Sequence, residues 1–179
     1  MVDAIVSIEP IKVLAGIIQT EMGLAAGKVM VYNQRYKPPT TKGVYIVLSY
    51  ISGKAIGNNA GNTEVAGEYI EVQEVPMHEV IQIDVMSDTE ADGTCEARAR
   101  KVEVIMALGS QYAQRQCAEH LMQISRIPTE FVDISAVEGS SLLARYMATV
   151  NIKALYRKTK TAEYYDHNFT PEVHTDPKT

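Results

Sequence analysis

Residues 142–156 read LLARYMATVNIKALY, a stretch in which polar and apolar positions alternate. The apolar or aromatic set is Tyr146, Ala148, Val150, Ile152 and Ala154, and the polar set is Arg145, Thr149, Asn151 and Lys153. Successive side chains of a strand point to opposite faces of a sheet. The stretch therefore predicts an antiparallel strand with one buried and one exposed face.

Further strands are predicted on the N-terminal side of this stretch. Residues 43–49 are β-branched and aromatic with little polarity, which favours an interior strand covered on both faces. Alternation returns on either side of Pro76 and predicts two strands, over residues 69–72 and 80–85. Shorter strands are expected at residues 29–32 and 131–133.

Residues 51–67 are rich in Gly and Asn, which accept a left-handed backbone. They predict a long mobile loop or hairpin tip. The spacing of Gly53, Gly57 and Gly61 superficially resembles phosphate-binding loops, but neither repeat ends in Gly-Lys-Ser/Thr. We expect no nucleotide cofactor.

Apolar residues at helical spacing predict a first helix from Pro10 to Met22. Thr94 is a predicted N-cap for a helix ending at Leu108, and Ser110 for a helical stretch through Gln123. The last two segments could also form one bent helix.

This order of elements predicts an α+β fold, with helices packed on one face of a mixed, mainly antiparallel sheet. Residues 1–158 form a single domain in this interpretation, with an extended hairpin, and residues 159–179 form a polar C-terminal arm. The longest apolar runs are far shorter than the ~20 residues that span a bilayer, so no membrane segment is expected. Cys95 and Cys117 are interpreted as reduced thiols of a cytosolic protein.

Candidate catalytic or metal-binding groups are few. His78 and Asp84 share one face of a predicted strand but have no nucleophile beside them. Cys117 and His120, three residues apart on a helix, could bring their side chains together, although an apolar helix face also accounts for the cysteine. A metal site in the C-terminal arm could be imagined, but the spacing matches no established ligand pattern; its members would be Asp166, His167, His174 and Asp176. We expect no enzyme activity, cofactor or metal.

Charge is strongly separated along the chain. Ten acidic and no basic side chains lie between Lys54 and Arg98, and five basic and no acidic ones lie between Glu138 and Glu163. A solvated sheet face accounts for this pattern, but so does an acid–base contact between copies, or an acidic passage to which DNA does not adhere. The candidate interaction residues are Glu64, Glu68, Glu71 and Glu74 on the acidic side and Arg145, Lys153, Arg157, Lys158 and Lys160 on the basic side.

The order of segments resembles a known group of proteins. The segments are KVMVYNQ (residues 28–34), GVYIVL (43–48), the hairpin, the strand 78–85, the helix 97–108 and the closing strand RYMATVNI (145–152). Together they resemble the neck and tail-terminator proteins of tailed bacteriophages over most of residues 8–158.

The resemblance implies a structural virion protein that forms a hexameric ring. Such a ring caps the tail tube, ends tail polymerisation and joins the tail to head-completion proteins, while double-stranded DNA passes through its lumen without specific binding. The protein would be made in the host cytoplasm and located in the virion neck. The hairpin would contact an adjacent ring and the arm a neighbouring copy.

Two alternatives stay open. One is a small cytosolic enzyme with a shallow site around His78, Asp84 and the glycine-rich loop. The other is a monomeric binding module that extends the sheet of a partner through an exposed edge.

Overall fold

A single sheet with helices against it makes up the part of the chain that the computed structural model describes, which is residues 4–5, 9–32, 43–65, 68–88, 94–138 and 141–161. The helices are α1 (Pro10–Glu21), α2 (Glu96–Leu108) and α3 (Gln111–Glu119). The strands are β1 (Ala4–Ile5), β2 (Val29–Val31), β3 (Tyr45–Ala55), β4 (Asn59–Val65), β5 (Glu68–Asp88), β6 (Met122–Arg126), β7 (Val132–Asp133), β8 (Ala136–Glu138) and β9 (Ser141–Thr161).

The strand order is β1-β9-β5-β3-β2, with β4 paired to β5, and β6, β7 and β8 paired to β9. Strands β2 and β3 are parallel, and the other pairs within the described residues are antiparallel. Helices and a mixed, mainly antiparallel sheet confirm the predicted α+β class.

The core lies between the helices and one side of the sheet, which we call the helix face. Helix α1 buries Leu14, Ile17 and Ile18 there. Ile81 and Val150 of β5 and β9 lie opposite each other in this core. The alternation along residues 142–156 is confirmed, because its apolar set is buried and its polar set is half-buried or exposed. The opposite side of the sheet is called the far face.

The helix ends are defined by specific hydrogen bonds. The cap of α2 is Cys95, not Thr94 as predicted: the Cys95 Sγ accepts a hydrogen bond from the Arg98 N–H at 3.4 Å. The Ser87 Oγ accepts a second one, from the Ala97 N–H at 3.0 Å. The start of α2 is thereby fixed against the C-terminal end of β5.

The predicted cap of α3 is confirmed, since the Ser110 Oγ accepts a hydrogen bond from the Ala113 N–H at 3.0 Å. Helices α2 and α3 are separate. The predicted extension to Gln123 is wrong, because Leu121 adopts a left-handed backbone with φ 51°. The chain then enters β6, where Met122 pairs with Ala154 of β9.

The predicted loop over residues 51–67 is mostly strand. Strand β3 continues to Ala55, and β4 begins at Asn59. Strand β5 also runs through Pro76, so the two predicted strands are one. The Pro76 carbonyl accepts a hydrogen bond from the N–H of Ile56, which lies between β3 and β4. The carbonyl therefore points to the side of β5 that faces β3 and β4. The missing N–H of the proline lies on that same side and interrupts no pairing with β9.

Strand β9 extends to Thr161, so the expected boundary after residue 158 falls inside a strand. Residues 162–179, with the four imagined metal ligands, lie outside the described residues. None of the described helices has the length and apolar character that crossing a membrane requires.

Candidate functional site

The candidate interaction residues lie mainly on a ribbon formed by β5 and β9. These strands pair without a bulge from Ile70 opposite Thr161 to Asp88 opposite Leu143. We call residues 68–77 of β5, residues 154–161 of β9 and strand β4 the distal ribbon. It lies at the end of β5 away from the start of α2.

The opposite charges of the distal ribbon meet within one chain. Lys160 lies opposite Glu71, with 2.9 Å between the Lys160 Nζ and the Glu71 Oε2. Arg157 lies opposite Glu74, and its Nε donates to the Glu74 Oε1 at 2.7 Å. The hydrogen bonds from Lys160 and Gln73 hold the pKa of Glu71 below its ordinary value. These four charges are therefore already paired without a neighbouring copy.

The basic residues do not form one strip on one face. Side chains alternate along β9, so Arg145, Lys153 and Arg157 lie on the far face, whereas Lys158 and Lys160 lie on the helix face. Glu74, opposite Arg157, lies on the far face, and Glu71, opposite Lys160, lies on the helix face. Glu64 of β4 stands opposite Tyr69, and Glu68 of β5 stands opposite Val65.

Arg145 belongs to an ion pair on the far face in which only the carboxylate is fully buried. Its Nε and Nη2 donate to the Asp84 Oδ1 and Oδ2, each at 3.0 Å. Gln82 Nε2 adds a hydrogen bond to Oδ2 at 2.8 Å. Asp84 is 2% exposed, so its carboxylate is buried and both of its oxygens are already hydrogen-bonded within the chain.

The other candidate catalytic pairs are not supported by their positions. His78 and Asp84 share the far face but are six residues apart on β5, a separation of roughly 20 Å at ~3.3 Å per residue. Cys117 is buried in the core, and that burial raises the pKa of its thiol, which opposes reactivity.

Among the described residues, one backbone edge of β4 is free. Within the described residues, β4 pairs only with β5, so its other side has no strand beside it. The Pro76 carbonyl bonds toward β3 and β4, so by alternation Gln73, Glu71 and Tyr69 bond toward β9. The N–H and C=O groups of the residues opposite them, Ala60, Asn62 and Glu64, therefore point away from β5. The strand NAGNTEV contains no Lys or Pro, the residues that commonly protect an edge.

A cleft of about 540 Å³ opens on the helix face at the start of α1. Glu9 and Pro10 border it, and Met77, Glu79 and Tyr156 of the ribbon line it. Glu79 is 4% exposed and accepts a hydrogen bond from the Tyr156 hydroxyl at 2.5 Å. Burial, followed by this hydrogen bond, raises the pKa of Tyr156 well above its ordinary value, so the hydroxyl stays protonated and donates.

Sequence reasoning did not single out Glu79 or Tyr156 as a site. A signal was present, because Glu79 is in phase with Ile81 and Ile83 and therefore occupies the buried face of the strand. A carboxylate in that phase is uncommon and indicates a special environment.

No family model matches the chain, and no curated protein matches its sequence. The functional interpretation therefore depends on the order of elements and on the surfaces described above.

Proposed function

We propose that this chain is a structural virion protein of a tailed bacteriophage and not an enzyme. In this proposal, copies form a hexameric ring that caps the tail tube, ends tail polymerisation and joins the tail to head-completion proteins. Double-stranded DNA passes through the ring without specific binding. The protein is made in the host cytoplasm and becomes part of the virion neck.

The observation that carries the proposal is the order of elements. After the short strand β1, helix α1 is followed by strands β2 to β5 with a long hairpin, by helices α2 and α3, by the short strands β6 to β8 and by the long closing strand β9, and the helices pack on one face of the sheet. The resemblance to tail terminators rests on the longer of these elements and on their order.

The free edge of β4 supports the proposal and indicates where copies would meet. Arg157 and Lys160 already have acidic partners within the chain, so in this proposal these two charges do not supply the contact. Outward N–H and C=O groups can instead pair with a strand of a neighbouring copy. We therefore place the contact between copies along β4.

The same edge favours a second candidate, a monomeric module that adds a strand of another protein to its sheet. The small-enzyme alternative has weaker support, because His78 and Asp84 are far apart and Asp84 is occupied by Arg145. Rings formed by the purified chain distinguish the ring protein from the monomeric module.

Negative-stain electron microscopy of the concentrated protein, with and without purified tail tubes, tests the proposal. Sixfold particles with a central hole are expected. Asn62→Pro removes an N–H that points to the free edge, and should abolish the rings while leaving the thermal transition nearly unchanged.

Asn62→Ala is the matched control, because it keeps that N–H and should keep the rings. Rings that survive Asn62→Pro would exclude β4 as the contact. Particles that stay monomeric both alone and with tail tubes would overturn the proposed function.

A further inference from the structure

The cleft at the start of α1 contains a buried carboxylate that has no cation in the described structure. The described side-chain partner of Glu79 is the neutral hydroxyl of Tyr156, which occupies Oε1. Among the described residues that line the cleft there is no Lys, Arg or His. Removing a carboxylate from water costs free energy unless a cation or several hydrogen bonds compensate for it.

Three tyrosines line the cleft that contains this carboxylate. Tyr156 lies beside it, and Tyr32 and Tyr50 stand at the mouth of the cleft with 58% and 54% of their surface exposed. The Tyr50 ring lies back on the Gly53 backbone, where an added Cβ would overlap the Tyr50 hydroxyl. Faces of aromatic rings attract ammonium and guanidinium groups, most strongly where water is excluded.

We infer that this cleft binds an organic cation, an ammonium or guanidinium group on a short apolar stem. The charged group lies against Glu79 among the tyrosines, and the stem lies along Ile11 and Met77. An anion would face the buried carboxylate of Glu79, whereas the carboxylate of Glu9 at the same cleft is paired with Lys12 at 3.0 Å. The inference goes beyond the proposed function and does not depend on ring formation.

The test is a titration of the full chain, labelled with ¹³C at its methionine methyl groups, with n-butylammonium. Saturable shifts of the Met77 methyl are expected, whereas 1-butanol, with the same stem and no charge, should give much smaller shifts. Glu79→Gln keeps the shape and removes the charge, and should weaken n-butylammonium binding about tenfold or more.

Glu74→Gln is the matched control, because Glu74 lies on the far face away from the cleft, and it should bind like the parent. If Glu79→Gln does not fold, Tyr50→Ala, which removes an exposed ring at the mouth, should selectively weaken n-butylammonium. Equal shifts with 1-butanol, or unchanged affinity in the variants, would refute the inference.

The cation can come from a basic side chain of another copy or from a free amine. If oligomers dissociate in saturating n-butylammonium, the cation is a basic side chain of another copy. If the oligomers persist, the cation is a free amine. A chain that saturates but stays monomeric, even on tail tubes, would support the site while contradicting the proposed ring.

Discussion

Replacing Arg145 with Met is expected to destabilise the fold by about 2–4 kcal/mol, because it leaves a buried carboxylate without its cation. Asp84 would lose both 3.0 Å hydrogen bonds from Arg145 and keep the one from Gln82. Breaking a buried ion pair typically costs about 3–5 kcal/mol. We lower that range because the Arg145 side chain is 38% exposed, so water can partly replace it.

Urea unfolding at neutral pH measures this cost, and thermal unfolding should show a fall of roughly 2–4 °C for each kcal/mol. The matched variant combines Asp84→Val with Arg145→Met. It should recover to within about 1 kcal/mol of the parent, because neither charge then remains buried. A loss below about 1 kcal/mol in the single variant, or no recovery in the double variant, would refute the reasoning.

Two further predictions concern the distal ribbon and the core. Arg157→Glu should lower the free energy of unfolding at low salt by about 0.5–1 kcal/mol, and adding Glu74→Arg should restore it; a double variant no more stable than the single one would contradict the pairing within one chain. Iodoacetamide at pH 8 should modify half-buried Cys95 well before Cys117, because burial raises the pKa of the Cys117 thiol and leaves less thiolate. Peptide mapping by mass spectrometry measures the modification rates of the two cysteines, and equal rates would contradict this prediction.

Local periodicity is enough to predict some elements. Helix α1 and the alternation of β9 can be predicted because both depend only on the spacing of apolar residues within a short stretch of the chain. The cap at Ser110 is equally local, since it needs only a hydroxyl and the N–H of Ala113.

Long-range pairing explains where the sequence misled. Gly, Asn and Pro76 signal breaks in a strand. Strand β4 nevertheless forms because it pairs with β5 from Asn59 to Val65, and β5 continues through Pro76 because it pairs with β9 from Ile70 to Asp88. Preferences of single residues are weak compared with such pairing.

The ion pairs of the distal ribbon and the cleft were harder to predict from the sequence, because they depend on the register of β5 against β9 and on the placement of α1. Glu71 and Lys160 are far apart in sequence, and the separation of charge along the chain is compatible with a solvated sheet face, a contact between copies or a passage for DNA. Only the register of β5 against β9 shows that they meet within one chain. The cleft around Glu79 also requires knowledge of where α1 begins over the sheet.

Strand β9 sets the order in which the protein can fold during synthesis. It pairs with five strands, β1, β5, β6, β7 and β8. None of these pairings can form before the segment from Ser141 to Thr161 has been synthesised. The nascent chain can form its helices early, but it cannot complete the sheet until the ribosome has released residue 161. Until then one backbone edge of β5 lacks its partner strand, and such an unpaired edge makes the unfinished chain prone to aggregation.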